Sequence, residues 1–248
     1  MIVPNDVILG QPIDDRLLSQ KRGECLLVDL GSQNYQESLR IQARIVEKRK
    51  QDKVPDCLLF VEYGHTITVG RSGNKNHLLA SNQDLEEKKI ELCHTDRGGD
   101  VTYHGPGQLI AYPILDLKSL RRDIDWYLRT LEACIMGTLE DYGIGSRTIS
   151  GATGVWIGEE KIAAIGVRTS QWVTSHGIAL NINTDLNYFN TIIPCGIKGK
   201  GVTSVAKVLN KAYLNPGPIK VSFCSHFEVL FERCLRSDSE EGDSILWI

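Results

Sequence analysis

Two residues of this 248-residue chain combine reactive chemistry with a setting that suits it. Cys195 stands in Pro194-Cys195-Gly196-Ile197, between residues that punctuate the backbone. A thiol in such a turn is more open to reaction than one on an apolar strand or helix face, where Cys25, Cys57 and Cys134 are expected. A nucleophile here competes with an inert or merely reactive thiol. Lys161 opens the apolar run Ile162-Ala-Ala-Ile-Gly-Val167. Either it lies at a hairpin mouth and snorkels to water, or it is held in an apolar site and acts as a base. His104 and His176 each precede a glycine, so they either converge on one pocket or occupy unrelated loops. With Cys195 they could ligate zinc. The spacing carries no local metal signature, and no metal is assigned. The stretch Arg97-Gly-Gly-Asp-Val-Thr-Tyr-His-Gly-Pro-Gly-Gln108 holds four glycines and a proline. Backbone that passes close to a ligand needs such glycines, so a ligand-cradling loop is expected, with a tight turn between strands as the alternative.

The elements that must hold these residues follow from the pattern around them. Cys25–Leu30, Cys57–Tyr63, Thr66–Val69 and Glu91–Asp96 read as strands. After Asn34, with Glu37 completing a capping-box pattern, a helix should bury Tyr35, Leu39, Ala43 and Val46. Asn82 can cap a short helix over Asp84–Lys89. A longer one should run from Asp123 to Tyr142, with Tyr127, Leu131, Ile135 and Leu139 on its inner face and Gly143 as its stop. Gly154–Ile157 and Lys161–Arg168 form a hairpin, and Val173–Asn183 holds a further strand. Leu186, Phe189 and Ile193 suggest a helical turn or two, and Val221–Leu235 a last amphipathic helix. Hairpins outnumber regular βαβ alternation, so the fold class is α+β or mixed α/β in a single domain. A lead-in at 1–22, a catalytic domain at 23–236 and an acidic tail at 237–248 are expected.

Composition narrows the function. With 42% hydrophobic and 24% charged residues, net charge -3 and pI near 6.1, the chain is an ordinary soluble type with no pull towards nucleic acid. No apolar run approaches the ~20 residues of a membrane span. Seven cysteines without a CxxC pair argue against a disulfide framework and for a reducing compartment. The first residues do not read as a targeting segment.

The motifs Arg97–Gln108, Gly154-Val-Trp156, Lys161–Arg168, Thr174-Ser-His-Gly-Ile-Ala-Leu-Asn181 and Pro194–Ile197 with Val202-Thr-Ser204 resemble, in order, those of the lipoyl(octanoyl) transferases. The resemblance runs from about Leu26 to Leu235. It implies the fold shared by biotin-protein ligases, lipoate-protein ligases and class II aminoacyl-tRNA synthetase catalytic domains. It implies transfer of an octanoyl group from octanoyl-acyl carrier protein, through a thioester on Cys195, to a lysine of a lipoyl domain. Lipoyl domains of 2-oxo acid dehydrogenases and the glycine cleavage H protein are the acceptors so implied, with no cofactor. By position Lys161 matches the family's activating lysine. Arg97, Gly98, Gly99, Asp100, Val101, Thr102, Tyr103 and His104, then Ala164, Ile165 and Gly166, then Gly177, Ile178 and Ala179, match its substrate-contacting segments. His176 is a possible accessory. An ATP-dependent lipoate- or biotin-type ligase on the same fold is the alternative, and a non-catalytic carrier-binding module a third. Thr174–Gly177 and Gly199–Ser204 resemble the mitochondrial branch, so the mitochondrial matrix is expected, with a bacterial cytoplasm or plastid as alternatives.

Overall fold

The computed structural model describes residues 23–196 and 199–237. The expected lead-in and, except for Ser237, the acidic tail lie outside them. β1 (Gly23–Gln33) and β2 (Asp56–Tyr63) are parallel neighbours in a sheet covered on both faces. Leu58 and Phe60 enter the core on one side, while Cys57, Leu59 and Val61 enter it on the other. Strands buried on both faces carry continuous apolar runs, which is why both were legible.

α1 (Tyr35–Lys50) connects them. Asn34 caps it by accepting from the Gln36 and Glu37 N–H groups, but the expected box is half made, because Glu37 pairs with Arg40 instead. Its buried face is Tyr35, Ser38, Gln42, Ile45 and Val46; the expected Leu39 is half-buried against the same core, and the expected Ala43 is exposed. Two polar residues are tolerated there because each has a partner: Ser38 Oγ meets the Tyr63 hydroxyl, and Gln42 Oε1 accepts from the His176 N–H.

β3 (Thr66–Val69), α2 (Asn82–Glu87), β4 (Glu91–His94) and β5 (Val101–His104) build a second sheet in the order β4-β3-β5. Ser81, not Asn82, caps α2, in a reciprocal box with Asp84. The glycine-rich stretch is not a loop throughout. Gly99 and Gly107, at φ +86° and +82°, turn the chain at its ends, and between them β5 pairs antiparallel with β3. Val, Thr and Tyr suit that pleat.

β6 (Gln108–Ile114) returns to the main sheet. α3 (Ile124–Glu140) buries Tyr127, Leu131, Ile135 and Leu139 as the spacing predicts, and Gly143 follows it at φ +69°. β7 (Arg147–Ile149), β8 (Ala152–Ile157), β9 (Glu160–Ser170) and β10 (Val173–Asn181) form an antiparallel meander. After β11 (Gly201–Val202) and α4 (Val205–Val208), α5 (Pro216–Leu230) packs beside α3. The expected helix at Val221–Leu235 therefore starts and stops early. Asn215 caps it with Pro216 in its first turn, and Arg233–Ser237 forms β12, parallel to β1.

Among the described residues the main sheet runs β12-β1-β2-β6-β10-β9-β8-β7, with β11 on β9. α3 and α5 cover one face and α1 the other. The fold is mixed α/β, as expected, with a parallel βαβ unit beside a meander in the main sheet and a second such unit, β3-α2-β4, in the small one.

Candidate active site

A cavity of about 450 Å³ lies where β9 and β10 meet β5 and the turn before it. That is within the ~300–1,000 Å³ usual for small-molecule sites. Its floor is smooth because the facing residues are small: Ala164 pairs with Ala179 and Gly166 with Gly177 across the two strands. Ile165 and Ile178 also border the cavity, but their side chains pack into the opposite core, against α3 and α5.

One end is closed by Arg97. Its Nη2 donates to the Thr68 and Asp100 carbonyls, each at 2.8 Å, and Nη1 to the Gly98 carbonyl at 3.0 Å. The guanidinium thus braces the Gly98–Asp100 turn against β3. Gly98 itself donates to the Val167 carbonyl at 2.8 Å, and a Cβ on Gly166 would meet Arg97 Cδ at 3.1 Å. Glycine at 166 is what lets the turn lie across β9. Strand alternation then halves the expected contact list along β5. Thr102 and His104 face the cavity. Val101 and Tyr103 point into the small-sheet core, where Tyr103 bonds His65 Nδ1 at 2.7 Å and stacks near Tyr188.

The two His-Gly pairs do converge: His104 and His176 border the same cavity. Burial, reinforced by the Arg97 charge, pushes the His104 pKa down to about 3. His104 Nδ1 lies 3.2 Å from Gln108 Oε1, and Gln108 Nε2 donates onward to Asn181 Oδ1 at 2.9 Å. The amide oxygen can only accept, so the proton sits on Nδ1. His176 is held at φ +56°, rare for a side chain with a Cβ, and Gln42 accepts its N–H at 2.9 Å. Burial, then the Arg97 and Arg168 charges, lower its pKa to about 4. Its Nε2 lies 2.8 Å from Asp96 Oδ1.

At the other end Lys161 is 6% exposed, resolving its two readings in favour of burial. Its Nζ donates to the Thr153 carbonyl at 3.0 Å and lies 4.8 Å from the centre of the Trp156 ring. β8 comes this close because residue 154 is glycine: at φ +123°, a Cβ there would lie 2.5 Å from the Ala163 carbonyl oxygen. Behind it, Glu132 on α3 accepts the Gly154 N–H at 2.9 Å and pairs with Arg129 at 2.5 Å. Burial raises the Glu132 pKa.

Cys195 lies in the short helical turn Pro194–Gly196, which packs against β5. The next residue, Gly196, borders the same cavity as Lys161. Cys25, Cys57 and Cys134 are buried as expected, and burial raises the Cys25 and Cys134 thiol pKa values well above the ordinary range. Among the described residues no three His, Cys, Asp or Glu side chains are grouped to hold a metal ion.

Several residues at the site were not singled out from sequence. Glu132 had a signal, a carboxylate beside the apolar stripe of α3. Tyr35 and Tyr112, which also border the cavity, read only as core. His77 and Gln42 carried no signal, because only long-range pairing brings them here.

The family described as the lipoyl protein ligase A/B catalytic domain matches residues 34–227. The chain is 50% identical over 208 residues to an octanoyltransferase of Solibacter usitatus, covering 84% of this chain and 93% of that one. It is 46% identical over 209 residues to an octanoyltransferase of Flavobacterium psychrophilum, covering 82% and 90%. Among solved structures it resembles a Thermoplasma acidophilum protein described as a lipoate protein ligase with bound lipoic acid. There the TM-score is 0.70 at 18% identity, over 87% of this chain and 88% of that one, a likeness of fold.

Proposed function

We infer that this chain, which belongs to the lipoyl protein ligase A/B catalytic-domain family, is an acyltransferase that moves an octanoyl group from octanoyl-acyl carrier protein to a lysine of lipoyl domains. Cys195 carries the group between them as a thioester. The observation that carries this reading is a buried lysine, Lys161, fixed between Thr153 and Trp156 in the cavity that the Cys195 turn borders. Relatives named octanoyltransferase, matched over nine-tenths of their length, support the octanoyl group.

Each half-reaction has a proton problem. A free thiol with a pKa of ~8.5 is only a few per cent thiolate at pH 7. As an ammonium near Cys195, Lys161 favours the thiolate. The acceptor lysine must lose a proton before it attacks, at a cost of about 4–5 kcal/mol at pH 7. In its amine form Lys161 takes that proton. Arg97, Gly98, Gly99, Asp100, Thr102 and His104 shape one end of the site, and Ala164, Gly166, Gly177 and Ala179 its floor, for the acyl chain. Val101, Tyr103, Ile165 and Ile178 act from behind, and His176 as an accessory wall. Thioester to amide runs downhill, so neither ATP nor a metal is required.

Lipoyl domains of 2-oxo acid dehydrogenases and the glycine cleavage H protein are the proposed acceptors. The relatives named above are bacterial, which favours the bacterial-cytoplasm alternative and lends nothing to the mitochondrial one. Among the described residues no helix is long and apolar enough to cross a membrane.

Incubation with octanoyl-carrier protein, without ATP, should add one octanoyl mass to the protein by intact mass spectrometry. Cys195→Ser should abolish the adduct. Lys161→Ala should slow transfer to a lipoyl domain about 10²-fold or more. No adduct on the wild type, or an undiminished one on Cys195→Ser, would refute the thioester route.

A further inference from the structure

One residue without a role so far holds the Cys195 turn from both sides. Before the turn, Ile193 donates its N–H to the His77 carbonyl at 2.8 Å. Leu79 and Ala80 donate to the Thr191 carbonyl at 2.8 and 3.0 Å, around an antiparallel bridge between Leu78 and Ile192. After it, Gly196 at φ +68° rests on the His77 ring. A Cβ on Gly196 would lie 2.8 Å from His77 Cε1 and 2.7 Å from Asp100 Oδ2. The His77 backbone therefore meets the chain two residues before Cys195, and its imidazole meets the residue after.

The ring is also oriented. His77 Nδ1 is in hydrogen-bond contact with Asp100 Oδ2, and Asp100 Oδ1 accepts the Asn74 N–H at 2.9 Å. A carboxylate accepts only, so Nδ1 carries the proton and Nε2 of the neutral ring keeps a lone pair. The two side chains are 19% and 12% exposed, and both border the cavity that holds Lys161. A carboxylate behind an imidazole fixes its tautomer and stabilises the imidazolium that forms when it takes a proton.

We propose that His77, oriented by Asp100, is a second proton carrier of this site and serves the half-reaction in which Cys195 takes up the acyl group. The proposal rests on the reading of Cys195 as the acyl carrier. The Cys195 thiol gives its proton to His77 Nε2, and a bond forms between Sγ and the acyl carbon. The bond from that carbon to the donor's sulfur breaks, and the proton passes from His77 to the departing thiolate, which leaves as a thiol. Nothing else is consumed. The Lys161 ammonium favours the thiolate as it forms on Cys195, and in the second half-reaction its amine form takes the proton that the acceptor's ammonium must lose.

The two steps can be timed separately on the full chain. Single-turnover mixing with octanoyl-carrier protein, quenched and read by intact mass, gives the acylation rate of Cys195. Chasing the loaded protein with a lipoyl domain gives the rate of the second step. His77→Gln should slow acylation by about 10²-fold or more and leave the chase near the wild-type rate. Added imidazole should restore part of the acylation lost in His77→Ala, and Asp100→Asn should slow acylation to a smaller degree. His77→Gln acylating at the wild-type rate overturns the proposal. So does a parallel loss of both steps without imidazole rescue, since that marks a residue that only supports the turn. A wild-type protein that never acquires the adduct overturns the acyl-carrier reading and this proposal together. A wild type that does acquire it, matched by His77→Gln, overturns this proposal alone.

Discussion

His104 and His176 are kept neutral mainly by burial, at pKa values of about 3 and about 4. In the unfolded chain each has a pKa of about 6.5. Between those values the unfolded state binds more protons, so both rings contribute stability that is fully present above pH 6.5 and is lost as the pH falls towards 4. Between pH 6.5 and 5 the loss is on the order of 2 kcal/mol per ring. Urea unfolding at pH 7 and pH 5 checks it: His104→Asn should flatten the difference, and an unchanged slope would contradict the burial account. That cost was invisible in the sequence, where each histidine is only a ring before a glycine. Cys195 and Lys161 stood out because their residue types clash with their neighbours. His77 closes the polar run Asn74-Lys75-Asn76 and reads as its last member, so it did not.

Elements were legible where local pattern and tertiary environment agree. The stripe of α3 matched because its inner face is apolar throughout. α1 did not, since Ser38 and Gln42 are buried through partners on β2 and β10, far away in sequence. β12 was missed because its environment is supplied by β1, at the other end of the described residues. β8 illustrates how an element carries chemistry. Its approach to β9 depends on Gly154, and the Thr153 carbonyl that holds Lys161 comes with it. Gly154→Ala places a methyl group against the Ala163 carbonyl oxygen and strains φ at +123°. Transfer to a lipoyl domain should fall at least 10-fold in this variant, while circular dichroism stays close to wild type. Full activity in Gly154→Ala would mean that β8 does not set the position of Lys161.

At the scale of the molecule, one carboxylate ties the parallel edge of the sheet together. Asp56, at the start of β2, is 3% exposed and accepts from Arg49 Nε and Arg233 Nε, each at 2.7 Å. Both guanidiniums are largely buried, and while Arg49 keeps its pair with Asp52 at 2.6 Å, Arg233 loses the carboxylate it pairs with. Asp56→Ala should cost about 3–5 kcal/mol, read as a lower urea midpoint with little change in slope. A loss below about 1 kcal/mol would assign the edge to apolar packing instead. The same edge has a bearing on synthesis. Gly23 of β1 pairs with Arg233 of β12, 210 positions downstream (233 minus 23). At about 5–20 residues per second, a ribosome needs roughly 10–40 s to cross that gap. For that interval the outer rim of β1 has no strand beside it and Asp56 lacks one of its two arginines, so the nascent chain carries an open template for mispairing until β12 emerges.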